Sequence, residues 1–267
     1  MEKLTFLGIA GNDAPSLGLA SSCFVLNYRH YQLIFDPGPG TLIKAREANI
    51  NIANTNIILV SHAHLNHCNE LNLVIDAMTF HGLDNRGLIV GDESVINGSG
   101  IERPILSRAH KRFIEKEVVL MEDQELTLPG IKIQALKTQH SLPSSLGYRI
   151  TTDELTIVYS GDTKNFDEIP SLYKNADILI LNVPYPKKTQ SDTNLNIDDA
   201  HKIIYTIKPR LAILTHFNKQ LLKESPIYYA REIQRETNIQ TIAAKEGLTI
   251  DIMAFSKLSR QNTLNKY

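Results

Sequence analysis

Apolar residues along the chain fall mainly into short runs at strand spacing, separated by turn-forming residues. "KLTFLGI" (3–9), "CFVLNY" (23–28) and "YQLIFD" (31–36) are broken by Gly, Asn and the turn "DPGPG", so strands open the chain. A helix is expected near 41–48, and "NIILVS" reads as a buried strand. Leu71, Val74, Ile75 and Met78 recur at helical spacing, which predicts an amphipathic helix over about residues 67–80. Strands return in "LIVG", "VVLM", "ELTL", "IKIQALK", "LGYRI" and "LTIVYS". A short helical piece at "DEIPSLYKN" precedes the strand "DILILN". Ala200, Ile203, Ile204 and Ile207 define another helix, followed by the strand "LAILTH". Ser225-Pro226 supplies a cap and a first residue for a further helix to about residue 236. "QTIAAKEGLTIDI" is expected to close the fold as a hairpin or paired strands. Residues 1–254 read as one domain and 255–267 as a polar tail. Two sheets facing each other with helices outside would bury all these runs, an α/β arrangement.

The polar residues gather at particular places in this pattern. "IILVSHAH" ends a strand with His62 and His64, and His67 follows within the same loop. "IKIQALKTQH" ends with His140, "LTIVYSGD" with Asp162 and "LAILTH" with His216. Loops at the carboxyl ends of strands converge on ligands in many α/β sheets, because the strands hold them rigidly. Neutral imidazole and carboxylate suit zinc, and also manganese or iron, so the set points to a metal centre. His30, His81, His110 and His201 lie outside it and read as ordinary polar residues. Cys68, beside His67 at the helix start, reads as a small buried thiol.

Composition adds boundaries. With 42% hydrophobic and 21% charged residues and a net charge of −1, nothing draws the whole chain to nucleic acid or an anionic membrane. Two cysteines, Cys23 and Cys68, make no disulfide framework. The start "MEKLTFLGIAGNDAP" has no secretory pattern and no run reaches the ~20 apolar residues of a membrane helix, so a cytoplasmic location is expected. On the same ground the sequon "NGS" at 97–99 is a chance match. The basic clusters "HKR" (110–112) and "KPR" (208–210) read as solvated faces. "PYPKKTQ" (184–190) reads as an exposed loop whose Tyr185, Lys187 and Lys188 could also meet an anionic substrate.

His62, His64, Asn66, His67, His140, Asp162 and His216, in that order, resemble the metal-binding signature of the metallo-β-lactamase superfamily, over nearly the whole chain. The resemblance implies a four-layer αββα sandwich. It implies that His62, His64 and His140 hold a first metal, that position 66, His67 and His216 hold a second, and that Asp162 bridges both: one or two zinc ions, or manganese or iron. Asp36 matches an aspartate ahead of the motif in many members. It either accepts a hydrogen bond from a ligand histidine and braces the loop, or simply forms the turn before Pro-Gly.

The opening strands and "LTHF" look closest to the ribonuclease Z and cyclic phosphodiesterase branch. Only a short segment separates His140 from Asp162, however, and Asn182 and Asn194 stand where that branch implies acid or histidine chemistry. A phosphodiester in a small-molecule or short-nucleotide substrate is therefore expected, and transfer RNA is not. Asn66 stands where active members carry the aspartate of the catalytic motif. An amide oxygen is a weak ligand and no base near neutral pH, or the residue serves as a helix cap. The expected activity is a metal-dependent hydrolase in which metal activates the attacking water. The alternatives are a catalytically silent binding protein of the same fold, or a hydrolase of a lactone, thioester or β-lactam.

Overall fold

The computed structural model describes residues 2–13, 17–100 and 103–256; of the tail expected at 255–267, residues 257–267 lie outside the described residues. The chain divides into two compact units, residues 1–121 with 245–250, and residues 122–244 with 251–267.

In the first unit the strand-spaced runs become β1 (Lys3–Gly8), β2 (Cys23–Tyr28) and β3 (Tyr31–Phe35), followed by α1 (Thr41–Glu47) and β4 (Ile57–Leu59). Then come α2 (Leu65–Cys68), α3 (Leu71–Thr79), β5 (Leu88–Gly91), α4 (Glu93–Ile96) and β6 (Lys116–Val119). β1, β2 and β3 pair antiparallel, with Leu4 opposite Leu26 and Val25 opposite Ile34. From β3 to β6 the pairing is parallel. β4 is buried at every residue, which is why its run is apolar throughout and does not alternate. Leu71, Val74, Ile75 and Met78 of α3 pack with Val25, Ile34 and Ile58 in one buried cluster, so the helical spacing in the sequence marks the face it was expected to mark.

The single helix expected over 67–80 is two. Glu70 donates its backbone N–H to the Pro37 carbonyl (2.9 Å). Its carboxylate accepts from the N–H groups of Gly40 (2.6 Å) and Leu42 (2.9 Å). The residue is thus spent on capping α1, whose own cap position, Gly40, has no side chain to offer. The chain leaves helical geometry there and restarts at Leu71.

In the second unit, β7 (Glu125–Leu128), β8 (Ile131–Lys137), β9 (Leu146–Thr152) and β10 (Thr156–Tyr159) lead to α5 (Ile169–Leu172) and β11 (Ile178–Asn182). α6 (Ile197–Ile207), β12 (Leu211–Thr215), α7 (Lys219–Lys223), α8 (Pro226–Thr237) and β13 (Thr241–Ala243) follow. β7 to β10 pair antiparallel and β10 to β13 parallel. α6 starts on a capping box between Asn196 and Asp199. Pro226 opens α8 as expected, but Ser225 makes no side-chain cap: its φ is +68°, and its carbonyl accepts from Tyr228 N–H instead (3.0 Å).

Of the hairpin or paired strands expected over 240–252, the hairpin does not form. β13 joins β12, whereas β14 (Thr249–Asp251) lies beside β1 at the edge of the first sheet. The reason is Gly247, at φ +77°: it donates to the Phe6 carbonyl (2.8 Å) while Phe6 donates to Leu248 (2.9 Å). This captures the chain on β1. No helix among the described residues is long and apolar enough to cross a membrane.

Candidate metal centre

In the first unit, parallel β3 and β4 deliver Asp36 and the segment Ser61–His67 at the same edge. Asp36 is buried and holds a left-handed backbone (φ +51°), a conformation uncommon for a residue with a side chain. Its carboxylate accepts three hydrogen bonds: from Ser61 N–H (2.7 Å), from Ser61 Oγ (2.8 Å) and from His67 Nδ1 (2.8 Å). The single hydroxyl proton of Ser61 goes to Asp36, so Ser61 Oγ accepts from His62 Nδ1, 2.9 Å away. One carboxylate therefore fixes two rings. His62 and His67 both carry their proton on Nδ1, leaving Nε2 as the basic nitrogen, as second partners do for metal-ligating histidines.

His62 Nε2 lies 2.9 Å from His64 Nδ1, and the His62 and His67 ring centroids are 4.2 Å apart. Nitrogens bound to one ion at ~2.0–2.1 Å sit roughly 3 Å apart, so the His62–His64 pair has the spacing of two donors on one cation. Asp36 turns the chain before Pro37 and also accepts from His67.

Asn66 is not a helix cap. His64 occupies the cap position of α2, and Asn66 lies inside the helix. Its carbonyl is pressed against the turn, where a Cβ at Gly38 would come within 1.9 Å of the Asn66 oxygen. Cys68 is fully buried, its Sγ donating to the His64 carbonyl (3.2 Å). Burial, with Asp36 and Asp92 nearby, pushes the thiol up to about 12, so it stays protonated and offers no thiolate.

In the second unit, β10, β11 and β12 run parallel, and β8 shares their direction through β9. The carboxyl ends of β8, β10 and β12 present His140, Asp162 and His216 at one edge. Asp162 Oδ2 lies 3.9 Å from His140 Nε2 and Oδ1 lies 3.6 Å from His216 Nε2. These separations are too long for direct hydrogen bonds and suit donor atoms that share an ion. His140 donates from Nδ1 to the Thr193 carbonyl (2.9 Å), so Nε2 is again the basic nitrogen. Asn182, fully buried at the end of β11, donates from Nδ2 to Asp162 Oδ1 (2.7 Å) and to Tyr159 Oη (3.0 Å). It orients the carboxylate where an acid would repel it. His216 is held at φ +66°, a strained backbone of the kind that gathers at functional positions.

The donor set fits a divalent transition metal. His62, His67 and His140 have Nδ1 engaged, which leaves Nε2 to a metal, and the buried Asp162 carboxylate lies beside His140 and His216. Ser61, Glu70 and the Thr193 carbonyl carry no signal in the sequence, because each acts by position alone. The remaining histidines stay apart from these groups: His110 meets Asp76 (3.3 Å) and His201 meets Glu236 (3.2 Å). In the 184–190 loop, Lys187 lies 2.7 Å from Glu232 of α8, so this lysine is tied down and does not stand ready for an anion.

Comparisons with known proteins agree. The model of the beta-lactamase superfamily domain matches residues 31–217. An uncharacterized protein of Methanocaldococcus jannaschii is 27% identical over 255 residues, 94% of this chain and 95% of its own. Ribonuclease Z of Methanosarcina mazei is 28% identical over 150 residues, 56% of this chain and 48% of the relative, so the match spans about half the length of that enzyme. Among solved structures, the metallo-beta-lactamase fold protein YhfI of Bacillus subtilis superposes with a TM-score of 0.76, at 21% identity, over 93% of this chain and 98% of its own. That likeness shows the fold, an α/β sandwich of the metallo-β-lactamase type. With a family model spanning the strand-end histidines from one unit into the other, the chain belongs to the beta-lactamase superfamily.

Proposed function

We propose that the protein is a metal-dependent hydrolase of a phosphodiester, in a small molecule or short nucleotide, working in the cytoplasm. The observation that supports this reading is a donor group at the carboxyl edge of each sheet, in which His62, His67 and His140 are fixed through Nδ1. By the family resemblance, His62, His64 and His140 would hold one ion, position 66, His67 and His216 would hold a second, and Asp162 would serve both. Zinc, manganese or iron bound there supplies Lewis acidity, lowering the pKa of water and polarising a phosphoryl oxygen. The chain's own contribution is orientation. Asp36 and Ser61 set two imidazoles, the Thr193 carbonyl sets a third, and Asn182 sets the carboxylate. Asn66 can hold a water by hydrogen bonding but cannot take its proton. The likeness to ribonuclease Z supports phosphodiester chemistry. Two free, buried cysteines suit a reducing compartment.

The test is turnover of bis(4-nitrophenyl) phosphate, cyclic nucleotides and lactones with zinc, manganese and iron. Phosphodiester turnover abolished by His140→Ala is expected. A preference for lactones over every phosphodiester would overturn the substrate class. Asn66 favours one second reading, a binding protein that has lost catalysis, and wild-type turnover that depends on His140 would reject it.

A further inference from the structure

In the first unit a cleft of about 510 Å³ opens against His64, walled by Asn12, Pro39, Leu65, Asn66 and Asn69. Its size falls within the ~300–1,000 Å³ of small-molecule sites. Apart from His64, no wall residue is ionisable. Two nearby charges, Glu70 and Lys44, are committed elsewhere. Glu70 places its two carboxylate oxygens on Gly40 and Leu42 N–H, and Lys44 sits 2.9 Å from both Glu47 and Glu246. What the cleft offers instead is the side-chain amides of Asn12 and Asn69, each with donors and an acceptor, around two apolar surfaces. One is the Pro39 ring and the other is Leu65, 64% exposed at the first position of α2.

The walls are also rigid. Ser21 N–H donates to the Pro39 carbonyl (3.0 Å), Glu70 fixes Gly40 on one flank of Pro39, and the Asn66 carbonyl packs on Gly38 on the other. A wall already ordered loses little entropy when a ligand arrives.

We propose that this cleft takes a nucleobase, so that the substrate is a nucleotide-type phosphodiester whose base sits here while its phosphate faces the metal; this rests on the hydrolase reading above. A second phosphate or a carboxylate would lose hydration in a cleft with no lysine or arginine among its lining residues. A plain alkyl group would strip water from the exposed amides of Asn12 and Asn69 and return no hydrogen bond. A base satisfies both demands. Its edge presents the donor–acceptor pairs that asparagine reads in two-pronged fashion, and its faces rest on Pro39 and Leu65.

Two measurements test this. The first titrates the metal-loaded protein with adenosine, guanosine, cytidine and uridine, following the side-chain amide NMR signals of Asn12 and Asn69. The second compares 2′,3′-cyclic nucleotides with the base-free cyclic phosphate of ribose. Nucleosides should move the two amide signals, and the base should improve kcat/KM by about tenfold or more, mainly through KM. Asn12→Ala and Leu65→Ala, both at exposed positions, should shrink that preference. Equal kcat/KM for the two cyclic phosphates, or amide signals unmoved by every nucleoside, overturns the base site. Nucleoside binding without turnover of any phosphodiester supports the base site and overturns the hydrolase reading instead.

Discussion

Asp36 shows how much of the centre depends on one side chain. It accepts from Ser61 twice and from His67 once, and through Ser61 it also sets His62. Asp36→Asn keeps the shape but replaces one acceptor oxygen with a donor facing donors. Partners of this kind are typically worth about 10–100-fold in metal affinity, so chelator competition should show a loss of that size while the far-ultraviolet spectrum stays native. Unchanged affinity would mean that Asp36 is only a turn residue. Asn66→Asp acts in the opposite direction, adding a carboxylate beside His67. Metal content should rise from about one ion per chain towards two, and a hydrolase lacking its base should gain rate, by up to ~10²–10⁴-fold where nothing else compensates. If neither metal content nor rate changes, position 66 lies off the centre. The candidate ligands stood out in sequence because imidazoles and a carboxylate at strand ends are rare by chance. Ser61 was not, since a serine before a histidine carries no pattern, and the cap assigned to Asn66 failed because His64 takes that position.

At the scale of elements, the turn 36–42 and the loop 61–70 are locked together, and sequence periodicity registers only half of this. Leu71, Val74, Ile75 and Met78 mark the buried face of α3. The break before α3 comes from Glu70 reaching to Gly40 and Leu42, a contact across 28 to 30 residues that no local pattern encodes. The strands divided in the same way. Runs such as β2 and β11 fall at their expected places, whereas the supposed final hairpin split because β1 and β12 each had an edge to fill. The lock makes a prediction. At Gly38 a Cβ would fall 1.9 Å from the Asn66 carbonyl, a backbone atom that cannot swing aside. Gly38→Ala should therefore displace α2 and weaken metal binding by at least about tenfold, while thermal stability falls by about 1–3 kcal/mol, the usual cost of overpacking. Wild-type metal affinity in Gly38→Ala would show that the turn does not set the histidines.

For the whole molecule, the proposed function draws its donors from both units, as the family resemblance implies. Fold class was readable because apolar runs of strand length, joined by amphipathic helices, leave few ways to bury themselves. The donor residues were readable because they punctuate those runs. The proposed base site was not, since its walls, Asn12, Pro39 and Leu65 among them, meet through turns and not through periodicity. The most direct test is the metal content of the purified wild-type protein beside His140→Ala, by inductively coupled plasma mass spectrometry after reconstitution and gel filtration. The account predicts about one or more equivalents of zinc, manganese or iron in the wild type, and a marked loss when the second unit's histidine is removed. A wild-type chain that takes up no metal, or a His140→Ala variant that retains the full wild-type content, would contradict it.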